Sequence, residues 1–318
     1  MPVSAVWKLQ FGISRELGHW GLELSNMPRW LIWSLLALLS WGVWAILSKL
    51  IGDALSAAHS QALSTVGLVP VMVALGFSGR VSATGHPLGG TLAAFAAGVL
   101  GCSGNIAYYE ALKRGGKAAT VVPLTALYPL VTIVLAVALL KEKLNRIQIV
   151  GALLSLTAIY VFNVSSAEGI LSGALVYALV PIAFWGLAGL LQKVSTNHLS
   201  GELSTLWFLS AFIPVAAFIL WRESIPPQVA PRVWFLVIVL GLFLALGNFA
   251  VLAACASAGK ASIVIPLTAL YPAVSVPIAI LFLGEKIGAR ETVGIFLALV
   301  SVMALSYESP SVKHISTP

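Results

Sequence analysis

Two identical blocks, Pro-Leu-Thr-Ala-Leu-Tyr-Pro, occupy residues 123–129 and 266–272, 143 residues apart. Both lie in apolar runs. A proline there removes a backbone donor and clashes with the carbonyl four residues back. Pro123, Pro129, Pro266 and Pro272 are therefore expected helix breaks, freeing the carbonyls of Ala119, Thr125, Ser262 and Thr268. Broken helix in hydrocarbon has to be buried in protein or line a wet cavity, unless it only bends the bundle closed. Tyr128 and Tyr271 stand beside the breaks with hydroxyls that can reach a ligand. Asn105 and Asn248 fall deep inside other apolar runs. A carboxamide there needs partners, which a facing helix or a substrate would supply. Trp41 and Trp185 lie mid-run, away from the interfacial belt where tryptophan gathers. They read as a cavity wall, or as packing against the glycines that follow them. The expected substrate pathway is Trp41, Asn105, Tyr108, Thr125, Tyr128, Trp185, Asn248, Thr268 and Tyr271.

Glu110 is aligned with Ala253 and has no acidic counterpart in the second block's half. An intramembrane carboxylate is a candidate proton carrier, so Glu110 is the coupling candidate. Lys113 and Arg114 follow within one turn, and interfacial ion pairing accounts for Glu110 equally well. Lys49 and Lys193, near the ends of two runs, attract an anion or snorkel to the head groups, the second being the stronger reading. Glu142-Lys143 and Glu285-Lys286 fall in short turns where structural pairing is expected. No enzyme constellation emerges. The five histidines (His19, His59, His86, His198, His314) are scattered outside the cores of the runs. There is no HExxH, no paired cysteine spacing and no Walker loop, so no metal, cofactor or ATP-driven step is expected.

The elements that position these residues follow from composition. Of 318 residues, 59% are apolar and 9% charged, with a mean hydropathy of +0.98. A soluble domain carries about 25% charged residues, so the solvent of this chain is lipid. A net charge of +7 is spread singly between apolar runs, without the basic face of a nucleic-acid binder. Cys102 and Cys255 read as small packing residues rather than a disulfide.

A transmembrane helix needs roughly 20 apolar residues. Ten segments qualify, at about 30–50, 60–78, 88–112, 118–140 and 145–164, then 172–192, 202–221, 233–256, 261–283 and 290–306. They form an internal repeat. Gly115–Val131 returns as Ala258–Val274, and the same offset pairs Asn105 with Asn248 and Gly151 with Gly294. An offset one residue longer pairs Trp41 with Trp185, Lys49 with Lys193 and Pro70 with Pro214. Five spans per half is odd, so the halves enter the bilayer with opposite orientation, the inverted-repeat plan of secondary transporters. The expected fold is all-α and polytopic, ten transmembrane helices in repeats at 30–164 and 172–306, with a tail at 307–318. Residues 1–29 are a cytoplasmic or interfacial segment, either a short surface helix or an unstructured tail. The Lys/Arg bias between the two sides is too weak to orient the chain.

The stretch GKAATVVPLTALYPLVTIVLAVALLKEKL and its return as GKASIVIPLTALYPAVSVPIAILFLGEKI resemble the EamA family of the drug/metabolite transporter superfamily, over roughly residues 30–306. The resemblance implies a basket of ten helices in the cell membrane with both termini cytoplasmic. It also implies passage of a small metabolite, such as an amino acid or nucleoside. A small-molecule substrate and the bilayer are thus the expected partners. Proton coupling and a homodimer are compatible with this reading, and no nucleic acid is expected.

Overall fold

The structure is a computed structural model that describes residues 27–140, 144–165, 169–170, 174–257 and 261–307. The expected terminal segments, apart from residues 27–29 and 307, lie outside the described residues, as do Glu142-Lys143 and Lys260. Helices α1 (Arg29–Ile51), α2 (Ala57–Ser64), α3 (Val69–Gly76), α4 (Pro87–Lys113), α5 (Ala118–Thr125), α6 (Pro129–Leu140) and α7 (Arg146–Asn163) build the first half. Helices α8 (Ala174–Thr196), α9 (Gly201–Ser210), α10 (Phe212–Arg222), α11 (Pro231–Ala256), α12 (Ala261–Thr268), α13 (Pro272–Phe282) and α14 (Ala289–Leu305) build the second. Between them two-residue strands, β1 (Val164–Ser165) and β2 (Gly169–Ile170), pair antiparallel.

Among the described residues, eight helical runs are long and apolar enough to cross a membrane, one of them 57–76, which joins α2 and α3. The expected fifth and tenth spans are shorter helices, α7 of 18 residues and α14 of 17. These two lie against each other, with Gly151 under Leu305 and Gly294 under Phe162. The Ser155 and Ser301 hydroxyls are hydrogen-bonded between them. Large apolar side chains such as Leu36, Leu139, Phe218, Leu281 and Phe296 point outward from the bundle, as a lipid-facing surface requires.

Proline sets the interruptions. Pro70 and Pro214 sit in the first turns of α3 and α10, just past breaks at Thr65–Leu68 and Ala211. The paired blocks break at 126–128 and 269–271. There the expectation of freed carbonyls fails for Thr125 and Thr268. The Thr125 carbonyl accepts from the Tyr128 amide at 3.2 Å, and that of Thr268 from Tyr271 at 3.4 Å. A tight three-residue turn re-satisfies the backbone that proline would have orphaned.

The halves interlock. Helix α1 runs along α11, and α4 along α8. Glycine allows the approach: a Cβ on Gly98 would lie 2.1 Å from the Phe208 carbonyl, and one on Gly241 1.9 Å from that of Ser64. Gly42 fits under Val274 just as Gly186 fits under Val131. Each pair is the repeat image of the other, so the sequence repeat is also a repeat of contacts. Arg29, Arg80, Ser200 and Ser257 gather at one end, here the near end. The opposite far end holds Lys49, Lys113, Lys117 and Glu285.

Candidate functional site

A cavity of about 60 Å³ lies where the halves meet. A buried water needs about 10–15 Å³ on this measure, so the space holds a few waters. Its walls are Trp41, Trp44 and Trp185, the phenols of Tyr128 and Tyr271, and Phe208, Phe212 and Leu244. Gly101 and Ala188 complete the apolar lining, and Asn105, Gln192 and Asn248 supply the carboxamides. None of these side chains carries charge at neutral pH.

Trp41 and Trp185 are each seated by the opposite half. A Cβ on Gly247 would meet the Trp41 indole at 2.4 Å, and one on Gly104 would meet Trp185 at 2.5 Å. This corrects the packing alternative. The glycines that follow the tryptophans, Gly42 and Gly186, face valines, while the indoles rest on glycines across the interface. Trp185 also donates to the Gly101 carbonyl at 3.3 Å, and Trp41 meets Tyr271 edge-on.

The polar groups divide unequally. Asn248 donates to the Leu244 carbonyl at 2.8 Å and accepts from Gln192 at 3.5 Å. Tyr271 lies 3.4 Å from the Thr125 hydroxyl. In the other half the Tyr128 hydroxyl faces Thr268 in the same way, but Asn105 is 3% exposed and its amide nitrogen has no partner. An unpartnered buried donor costs about 1–3 kcal/mol. On a residue that lines the cavity, it marks where a ligand or water gains most.

The far end is sealed by aromatic rings. Trp44 stacks on Tyr108 at 4.9 Å and donates to the Tyr109 hydroxyl at 3.1 Å, and Ser48 reaches the Tyr108 hydroxyl at 3.3 Å. Beyond this plug a recess of about 220 Å³ is lined by Ser48, Lys49, Tyr109 and Lys113. The repeat images of Trp44, Tyr108 and Tyr109 are Ala188, Val251 and Leu252, so the plug belongs to one half alone.

Ion pairs bind the same end. The Glu285 carboxylate accepts from the Ala118 and Ala119 amides at 2.9 and 2.8 Å, capping α5 from the other half. Lys49 turns to protein oxygens rather than only outward: it donates to the Gly116 carbonyl at 2.8 Å and lies 3.9 Å from Glu285. Lys117 donates to Glu291 at 2.7 and 2.9 Å. Glu110 lies outside the cavity and accepts from Arg114 at 2.7 Å, as the ion-pair alternative has it.

Of the nine expected pathway residues, six line the cavity: Trp41, Asn105, Tyr128, Trp185, Asn248 and Tyr271. Tyr108, Thr125 and Thr268 lie behind its wall, where Thr125 supports Tyr271. Trp44 and Gln192 were missed. Both have a helical signal, since Trp44 follows Trp41 by three residues and Gln192 follows Trp185 by seven, on the same faces. His59 is also more buried than expected, lying within α2 with Nδ1 2.8 Å from the Ser56 hydroxyl. Cys102 and Cys255 are free and buried. No cluster of metal-ligating side chains occurs among the described residues.

Helical runs of membrane length, folded around an uncharged cavity shared by two repeats, define a multi-pass membrane protein. The EamA-like transporter family matches residues 28–164 and 172–307, and the chain belongs to that family. It is a membrane transporter. An uncharacterized transporter of Archaeoglobus fulgidus is 25% identical over 202 residues, covering 64% of this chain and 70% of the relative. An uncharacterized protein of Methanocaldococcus jannaschii is 44% identical over 48 residues, 15% of this chain and 35% of that protein. A crystal structure of a protein at 18% identity shares the fold with a TM-score of 0.62, over 86% of this chain and 94% of the other.

Proposed function

We propose that the chain is a secondary transporter carrying a small metabolite across the cytoplasmic membrane, with α7 and α14 completing ten spans in two inverted repeats. The carrying observation is a cavity assembled from repeat-equivalent residues of both halves, with the unpartnered amide of Asn105 among its lining. Inverted halves can exchange packings, which gives two conformations open to opposite sides. Here the far end is held by the Trp44 plug and the Glu285 and Glu291 contacts, so alternation begins with their release. The substrate sits between Trp41 and Trp185, oriented by Asn105, Tyr128, Asn248 and Tyr271. Both termini are cytoplasmic in this reading. Glu110 stays the proton-carrier candidate, and protonation would have to displace Arg114.

The test is counterflow in proteoliposomes. Asn105→Ala and Tyr271→Phe each reduce uptake while membrane insertion stays at the wild-type level. Normal transport by both variants refutes the site assignment.

A further inference from the structure

We infer that the recess at the far end, outside the ring plug, is an anion site that takes a phosphate group, whether of an anionic lipid or of a free solute. It is a second site, and the inference does not rest on the reading of the central cavity.

The cations are the first observation. Lys49 and Lys113 both line the recess of about 220 Å³, and among the described residues no carboxylate does. A buried water needs about 10–15 Å³ on this measure, so the space admits an oxyanion with part of its hydration shell. Each ammonium carries three donors. Lys113 uses one, on the Leu55 carbonyl at a long 3.4 Å, and has no acidic partner among the described residues. Lys49 uses one on the Gly116 carbonyl. Glu285 lies 3.9 Å from Lys49, but its oxygens already accept from the Ala118 and Ala119 amides. Both lysines stand in the last turns of their helices, α1 and α4, where a cation offsets the negative helix end. That role accounts for the charges. It leaves the space, the spare donors and one hydroxyl without a purpose.

The hydroxyl is that of Ser60, which lines the recess, is 5% exposed, and has no hydrogen-bond partner among the described residues. Its repeat image is Ser204, whose hydroxyl lies 2.8 Å from that of Ser195. In the first half Ile51 stands where the second has Ser195, so Ser60 lacks that pairing. The charges are equally one-sided. The image of Lys113 is Ala256, which lines the near-end recess together with Glu202. Repeat symmetry therefore does not impose the far-end set, and a local ligand explains it. Ammonium groups and a hydroxyl around a space without acid match the acceptor oxygens of a phosphate.

The test uses the full chain, freed of lipid in a maltoside detergent, titrated with inorganic phosphate or with chloride at equal ionic strength. Each lysine is acetylated with an amine-reactive ester and its rate read by mass spectrometry. At ten times its Kd phosphate fills about nine sites in ten, so Lys49 and Lys113 should label up to about tenfold more slowly. Chloride should not do this, and Lys117, at the same end, should be unaffected. Ser60→Ala and Lys113→Gln should each weaken the protection of Lys49 by about three- to tenfold, whereas Arg222→Gln, outside the recess, should not. The rates are read first on the unaltered chain, so a variant that fails to fold does not remove the test. In a second arm phosphatidylglycerol or phosphatidylcholine is added to the micelles. Protection by phosphatidylglycerol alone identifies a lipid head group, protection by phosphate alone a free anion, and protection by both a site open to either. If neither protects Lys49 and Lys113 over Lys117, or if both recess variants keep full protection, the inference is overturned.

Discussion

Replacing Gly98 or Gly241 by alanine should loosen the interlock between the halves by nearly the same amount. An added Cβ would sit 2.1 Å from the Phe208 carbonyl in the first case and 1.9 Å from the Ser64 carbonyl in the second. Ordinary contact begins near 3.4 Å, so the facing backbones must part by about 1.3 and 1.5 Å, the differences between these distances. Neither clash can be relieved by a rotamer change, since backbone is what is met. Overpacking of this kind costs about 1–3 kcal/mol, offset by up to about 1 kcal/mol because alanine is the better helix former. A net loss of about 1–2 kcal/mol corresponds to a melting point lower by on the order of 2–4 °C. The assay is thermal unfolding of purified protein at one fixed scan rate, since unfolding in detergent is under kinetic control. Gly76→Ala is the control, because nothing lies within 4 Å of its added carbon, and it should melt at or above the wild type. Wild-type melting of both interface variants would refute the view that close backbone approach joins the halves.

Other perturbations reach separate parts of the molecule. Glu285→Gln weakens the cap on α5 and removes the carboxylate beside Lys49, lowering stability by about 1 kcal/mol in the same melt. A double-mutant cycle of Lys117→Met with Glu291→Gln should return less than about 1 kcal/mol, because Lys117 is 42% exposed. A larger coupling energy would show that salt bridge to be a major clamp. Ser301→Val strips the Ser155 hydroxyl of a partner and should cost about 1–2 kcal/mol. Trp44→Leu unstacks Tyr108 and takes the donor from Tyr109. In that background a Gln192→Cys thiol, on the cavity side of the rings, should react faster with an impermeant maleimide added at the far end, and an unchanged rate would mean that the rings do not seal it.

Much of this was legible in the sequence because the repeat doubles every signal. Asn105 and Asn248, or Trp41 and Trp185, are recognisable as a matched set before any fold is known. What was hidden depends on which surfaces meet. The two tryptophans precede glycines in sequence, yet they rest on Gly247 and Gly104 across the interface, and no local pattern encodes that. The proline blocks suggested orphaned carbonyls, but only the three-dimensional turn shows Thr125 and Thr268 bonded again. Trp44 and Gln192 were overlooked because their repeat images are Ala188 and Ser48, so symmetry gave them no support. Lys49 looked like a head-group contact because its oxygen partners, at Gly116 and Glu285, are distant in sequence.

The interlock also bears on how the chain is made. Helix α1 finds its long partner in α11, and α4 in α8, both synthesised only after the first repeat is complete. The early helices must therefore wait in the bilayer with their small-residue faces unmatched. During that interval the nascent protein is a natural client for insertion chaperones and membrane proteases. The same dependence means that the two repeats, expressed as separate polypeptides, should each be short-lived alone and rescue one another when produced together.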